Sequence, residues 1–228
     1  MNSGLMLLVD GRFPAGGHTN SAGVEAAVQV GDVRDDATLE RYLRGRLATT
    51  GVVDAAFAAA TASIAPATEM GALDDLDVEY SARIMAPALR LASRRFGRQM
   101  HRAGRAVWAT PILDRLGTIE GGPHQPLVLG ALVAAAGGTP RDAAALSMHH
   151  LSAAVATAGV RLLGLDPMSV AALQADVASE TDRLLADPHD GVERWITSPV
   201  AQLPAIGGTL TEILGEQHAA SDSRLFVA

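Results

Sequence analysis

The first glycine-rich segment of the chain combines residue types that can bind an anion. It reads FPAGGHTNSAGVEAAVQVGDV, from Phe13 to Val33, and places two glycines, His18, Asn20 and Ser21 ahead of an apolar helical run. A glycine-rich turn that enters a helix often cradles a phosphate, because helix N-termini present unpaired N–H groups and the positive end of the helix dipole. This segment is therefore the first candidate for a functional site.

The absence of two residue types from the sequence excludes several kinds of catalysis and metal binding. All 18 basic residues are arginine, and the chain has neither lysine nor cysteine. A Walker A loop and Schiff-base catalysis each need a lysine, so both are excluded. Thiolate metal sites, thiol nucleophiles and disulfides need a cysteine and are excluded as well.

The remaining catalytic patterns are weak. His149 and His150 are neighbours on a predicted helix, so they point about 100° apart and cannot share one metal ion unaided. We favour a surface or packing role for them over a metal role. Ser21 lacks the preceding strand and the flanking glycines of a hydrolase nucleophile. The sequence thus predicts no catalytic, cofactor-binding or metal-ligating residue, and an interaction protein is favoured over an enzyme.

A basic helical stripe is the strongest charge pattern. It consists of Arg90, Arg94, Arg98 and Arg102 at four-residue steps, with Arg95 and Arg105 alongside. A solvated face is the simpler interpretation, and an acidic protein partner is the alternative, since guanidinium groups pair well with carboxylates. Nucleic acid is disfavoured, because the net charge is −7 and no aromatic residues interleave with the arginines.

The elements that must position these residues are predicted to be helices. Alanine is abundant, aromatic residues make up only 4% of the chain, and no segment alternates apolar and polar residues. We expect one all-α domain over residues 1–228, with roughly eight to ten helices and a flexible C-terminal tail from about residue 219. The predicted helices span about 36–50, 53–64, 78–107 (kinked or broken at Pro87), 127–136, 140–162, 167–186 and 209–218.

Connections and location follow from the same patterns. The acidic stretch EMGALDDLDVE, residues 69–79, is interpreted as a solvated connector. The longest apolar run, Leu127 to Ala136, is well short of the ~20 residues of a membrane span. We therefore expect a soluble, cytoplasmic protein without a membrane partner.

Several segments together resemble the UreF family of urease accessory proteins. In the opening segment, the residues that match the family signature by position are Asp10, Pro14, Gly16, Gly17, Ser21, Gly23 and Glu25. The segments RRFGRQM, PHQPLVLGALVAAAGG and SAAVATAGVRLLGLDP are similar to later family blocks, and HAASDSRLF is similar to the family's C-terminal motif. The matches run from residue 10 to residue 226 in the family's order.

The resemblance implies an all-α, dimeric, non-enzymatic chaperone for nickel insertion. Its partners would be the scaffold protein UreD (also called UreH), the GTPase UreG and apo-urease. The nucleotide would then belong to UreG, in agreement with the missing lysine. The glycine loop would be shaped for a protein partner rather than for a phosphate.

The resemblance also implies a set of partner-binding residues at the two ends of the chain. They are Pro14, Gly16, Gly17, Ser21, Gly23, Glu25, Arg224, Leu225 and Phe226. Two alternatives stay open: the glycines only allow tight turns and close packing, and the tail is docked on the protein rather than ordered by a partner. A small-molecule module or enzyme with a pocket lined by His18, Asn20, Ser21 and Glu25 is the alternative function.

Overall fold

The computed structural model describes residues 3–67, 70–221 and 225–226, and the regular elements within these ranges are all helices. The α-helices are α1 (Ser3–Val9), α2 (Val24–Gln29), α3 (Asp36–Arg46), α4 (Val52–Ile64), α5 (Met70–Ala82), α6 (Pro87–Arg105), α7 (Pro111–Leu116), α8 (Gln125–Ala135), α9 (Pro140–Leu163), α10 (Pro167–Leu185), α11 (Val192–Thr197) and α12 (Thr209–Ala220). A π-helical turn, Leu47–Gly51, joins α3 and α4 into one helix, so the described ranges hold eleven helices. The predicted all-α class is confirmed.

Helix α4 forms the centre of the core. It packs against α8 on one side and α9 on another, and residues 52–62 are buried except for Asp54. Its alanines let the neighbouring backbones come close, and a Cβ at Gly130 of α8 would overlap the carbonyl oxygen of Ala58. Helix α10 covers the outer side of α9, and α6 covers α8.

Helix starts agree well with the sequence pattern. Thr139 caps α9 in a capping box with Asp142, and Asp166 accepts hydrogen bonds from the first backbone N–H groups of α10. Helix α3 begins at Asp36, as the predicted span 36–50 has it, and its cap is Asp35. The predicted break at Pro87 is also confirmed, because α5 ends at Ala82 and α6 begins with the proline.

The prediction of an acidic connector at residues 69–79 is wrong. From Met70 this stretch belongs to helix α5, whose Leu73, Leu76 and Tyr80 are buried at helical spacing. The acidic residues lie between these positions: Asp74 and Asp75 are exposed, whereas Asp77 is buried and pairs with Arg94. The short helices α7 and α11 were not predicted, because six residues are too few to show a helical period.

One helix in the described ranges, Asp36–Ile64, is long and apolar enough to cross a membrane. However, 67% of its most apolar window is buried inside the protein, as is usual for the central helix of a core.

Candidate functional site

The glycine-rich loop is held by its own hydrogen bonds and by α6. The Thr19 hydroxyl donates to the carbonyl of Gly16 at 2.9 Å, and Asn20 Oδ1 accepts from the N–H of Ala22 at 2.8 Å. Gly16 has φ of +81° and lies against the side chain of Gln99, where a Cβ would overlap the amide. Glycine is therefore needed at position 16 for both conformation and space.

The end of the loop is fixed to α3. The Tyr42 hydroxyl donates to the carbonyl of Ala22 at 2.8 Å, and the Arg46 guanidinium donates to the same carbonyl. Gly23 has φ of +82°, and a Cβ there would lie 2.7 Å from the Tyr42 oxygen. Two of the three signature glycines thus have an internal structural role.

Glu25 joins the two ends of the chain. Its Oε1 accepts a hydrogen bond from the N–H of Leu225 at 2.7 Å, and its Oε2 accepts one from the N–H of Phe226 at 3.0 Å. The carboxylate is buried, with His218 Nε2 of α12 at 3.5 Å from Oε2. The structure therefore brings the N-terminal signature and the C-terminal motif together.

Phe226 and Leu225 have opposite environments. The Phe226 side chain is 4% exposed and lies under the Arg161 guanidinium, 4.6 Å from the ring centroid. The Leu225 side chain is 72% exposed. Phe226 thus anchors the motif on the body, whereas Leu225 is presented to solvent. Arg224 lies outside the described residues.

Exposure divides the predicted partner-binding residues into two groups. Pro14, Gly17 and Leu225 are exposed. The other described members are buried or half-buried, namely Gly16, Ser21, Gly23, Glu25 and Phe226. A partner that binds this folded surface would meet the first group directly, and the second group would act by holding it in place. The partner-binding assignment itself stays a prediction.

A cavity of about 460 Å³ adjoins the loop. Its lining includes Asn20 and Gly23 from the loop, Asp54 and Tyr80 from the core, and His218 from α12. The Tyr80 hydroxyl donates to Asp54 Oδ1 at 2.6 Å, and burial raises the pKa of the Asp54 carboxyl to about 6. Among the described residues, no group of three potential metal ligands comes together.

The alternative small-molecule site receives little support from this geometry. Ser21 is fully buried, and both oxygens of Glu25 are occupied by the tail. Asn20 lines the cavity, but its Oδ1 accepts a bond from the loop itself. The side chain of His18 is not described.

Sequence analysis missed the residues that hold the site together. Tyr42 and Arg46 show no pattern that distinguishes them from other helix residues. Arg161 lies in the family-like segment SAAVATAGVRLLGLDP, but its contact with Phe226 follows only from the fold. His218 was recognised only as the first residue of the C-terminal motif. Its pairing with Glu25 joins residues far apart in the sequence, and no local pattern reveals such a pairing.

Comparison with known proteins finds a family match and relatives that are similar over nearly the whole chain. The family model UreF matches residues 33–178. A urease accessory protein UreF of Mycobacterium sp. (strain JLS) is 37% identical over 227 residues, covering 98% of this chain and 97% of the relative. Those of Mycolicibacterium vanbaalenii and Mycobacterium marinum are 36% and 34% identical, each with the same 98% and 97% coverage. These alignments cover nearly the whole chain, whereas the family model covers neither terminal motif.

Proposed function

The chain belongs to the UreF family of urease accessory proteins, and we propose that it is a nickel-insertion chaperone of the cytoplasm. In this proposal it forms a homodimer and assembles with the scaffold protein UreD (UreH), the GTPase UreG and apo-urease. Nickel is the cargo of the assembly, and GTP is bound by UreG. The chain itself performs no catalysis and supplies binding surfaces.

The observation that best supports this proposal is the contact between Glu25 and the C-terminal motif. Glu25 binds the backbone of Leu225 and Phe226, so the N-terminal signature and the C-terminal motif form one site. Both carboxylate oxygens of Glu25 accept hydrogen bonds from the tail, and the apolar side chain of Leu225 is exposed beside them. An exposed apolar residue on a fixed backbone suits a protein partner, because little entropy is lost when it is buried.

The test separates two roles of the C-terminal motif: contact of the exposed Leu225 with a partner, and anchoring of the tail by the buried Phe226. Leu225→Glu should leave the free energy of unfolding within about 0.5 kcal/mol of the wild type, since the side chain is exposed. It should weaken capture of UreD and reduce urease activation in cells that carry all the accessory proteins. Leu210→Glu is the matched control, because Leu210 is 58% exposed on α12 and lies outside the motif.

The outcomes are distinct. A wild-type chain that captures neither UreD nor UreG and does not support urease activation would refute the proposed function. A Leu225→Glu variant that captures both and activates urease normally would leave the function standing and show that Leu225 is not a contact. Removal of residues 224–228 is a poorer test, because it also removes the buried Phe226 and so lowers stability.

A further inference from the structure

Helix α6 is a strongly basic element in an acidic protein. It contains six of the 18 arginines and no aspartate or glutamate, whereas the whole chain has a net charge of −7. The structure divides the six arginines into two groups with different surroundings, and only one group faces solvent.

Arg90 and Arg94 are half-buried and have structural roles. Arg90 donates to the carbonyls of Ile84 and Met85, which precede the helix. Arg94 forms an ion pair with Asp77 of α5 at 2.8 Å and also donates to the Ser81 hydroxyl. The stripe expected from the sequence, with an arginine at every fourth residue from Arg90 to Arg102, therefore does not form one exposed surface.

The exposed arginines form a different row. It consists of Arg95, Arg98, Arg102 and Arg105, spaced three, four and three residues apart. These positions follow one side of a helix, and the row is about 15 Å long at 1.5 Å per residue. Its two ends are flanked by exposed apolar side chains, Leu91 (69% exposed) and Val107 (51% exposed). We call this row the arginine face.

The arginine face is only partly neutralised by the protein. Arg98 donates to the carbonyl of Gly121, and Arg105 pairs with Asp114 at 2.6 Å. Within the described ranges, Arg95 and Arg102 have no hydrogen bond or ion pair. Neighbouring like charges on a helix repel one another, so this arrangement lowers the stability of the isolated chain. An external row of carboxylates would remove the repulsion.

We propose that the arginine face is a docking surface for an acidic surface of another protein in the maturation assembly. Guanidinium groups at this spacing fit a row of carboxylates through bidentate pairs, and the apolar residues at both ends suit a protein contact. Nucleic acid fits less well, because the chain is acidic overall and no aromatic side chain interleaves with the row. The inference rests on the proposed function, since it takes its partner from that assembly.

The test uses a charge reversal that breaks no internal contact. In the double variant Arg95→Glu/Arg102→Glu, each changed residue is exposed and unpaired among the described residues. Arg41→Glu/Arg183→Glu is the control, with the same change in net charge on exposed positions of α3 and α10. Binding to purified UreD, UreG and apo-urease is measured separately by surface plasmon resonance, at about 0.05 and 0.3 M salt.

We expect the arginine-face variant to bind one of the three proteins about tenfold or more weakly at low salt, with a reduced salt dependence, because several charge pairs are reversed at once. The control should bind all three like the wild type. If the wild type binds none of them, the proposed function fails. If it binds and the arginine-face variant binds all three equally well, the inference fails while the function stands. The inference would also be overturned if the arginine-face variant lost binding to duplex DNA or anionic lipid vesicles but kept its binding to all three proteins.

Discussion

Glu25 is a buried carboxylate whose charge is balanced by backbone groups. Two consecutive N–H groups of the C-terminal segment donate to it, and His218 lies beside it. A buried carboxylate is stable only when such donors replace its water. The signature residue that looks most suited to binding a partner thus already binds the chain's own C-terminal motif.

Replacing this acceptor should loosen the tail. In Glu25→Gln, an amide NH₂ group would face one of the two N–H donors and leave it unsatisfied. We expect the free energy of unfolding to fall by about 1–3 kcal/mol in chemical denaturation, and the amide of Phe226 to exchange hydrogen faster. Glu193→Gln, at an exposed position of α11, should change stability by less than about 0.5 kcal/mol. Equal stability of the two variants would contradict the anchoring role.

His150 should make stability depend on pH. Its Nε2 lies 2.9 Å from the carbonyl oxygen of Leu8, and burial lowers the pKa of the imidazole to about 4. Because this pKa lies below the value near 6.5 in the unfolded chain, the neutral ring stabilises the fold above pH 6.5. That contribution is lost as the pH falls from 6.5 towards 4.

The measurement compares stability at two pH values. Between pH 7 and pH 5, the wild type should lose about 2 kcal/mol more stability than His150→Gln, whose amide can still donate to Leu8. His189→Gln is the control, because His189 is exposed and meets water in both states. Parallel pH profiles for the wild type and His150→Gln would show that the ring does not titrate in this way.

Among the elements, the long helices could be predicted because their signals are local. A cap, a proline in the first turn and a helical apolar period all agree at α9 and α10. Helix α5 could not be predicted in the same way, because four acidic residues interrupt its apolar pattern and only Leu73, Leu76 and Tyr80 carry the helical period. The helical conformation of α5 depends on the burial of these side chains under neighbouring elements, and no local sequence pattern encodes that burial.

The close approach of α8 to α4 at Gly130 gives a sharp packing test. In Gly130→Ala, the new methyl group would overlap the Ala58 carbonyl and push α8 away from α4, costing about 1–3 kcal/mol or more. Gly45→Ala is the opposite control, since nothing lies within 4 Å of a Cβ at this position of α3. It should raise stability by about 0.4–1 kcal/mol. If Gly130→Ala is as stable as the wild type, α4 and α8 can move apart without a loss of stability, and the packing argument fails.

At the scale of the whole molecule, the sequence indicated the segments that resemble the family, but it did not indicate how these segments contact one another. The loop and the C-terminal motif were both recognised, but their contact through Glu25 joins residues 200 positions apart and follows only from the fold. Exposure could not be predicted either, because Leu225 and Phe226 are adjacent apolar residues with opposite surroundings. The arginine row was predicted with the wrong members, since tertiary contacts turn Arg90 and Arg94 inwards.

The distribution of histidines and acidic residues also bears on whether the chain itself binds nickel. The described residues contain no cluster of three potential metal ligands, and His149 and His150 diverge, with His149 exposed and His150 directed to Leu8. We therefore expect the isolated protein to bind Ni²⁺ no more tightly than micromolar, since stable nickel sites need several converging nitrogen or sulfur ligands. Equilibrium dialysis of the wild type and of a His149→Ala/His150→Ala variant measures this, with no difference expected between them. Sub-micromolar binding that the variant loses would instead make the histidine pair part of a nickel site, and the chain a carrier rather than a bridge between partners.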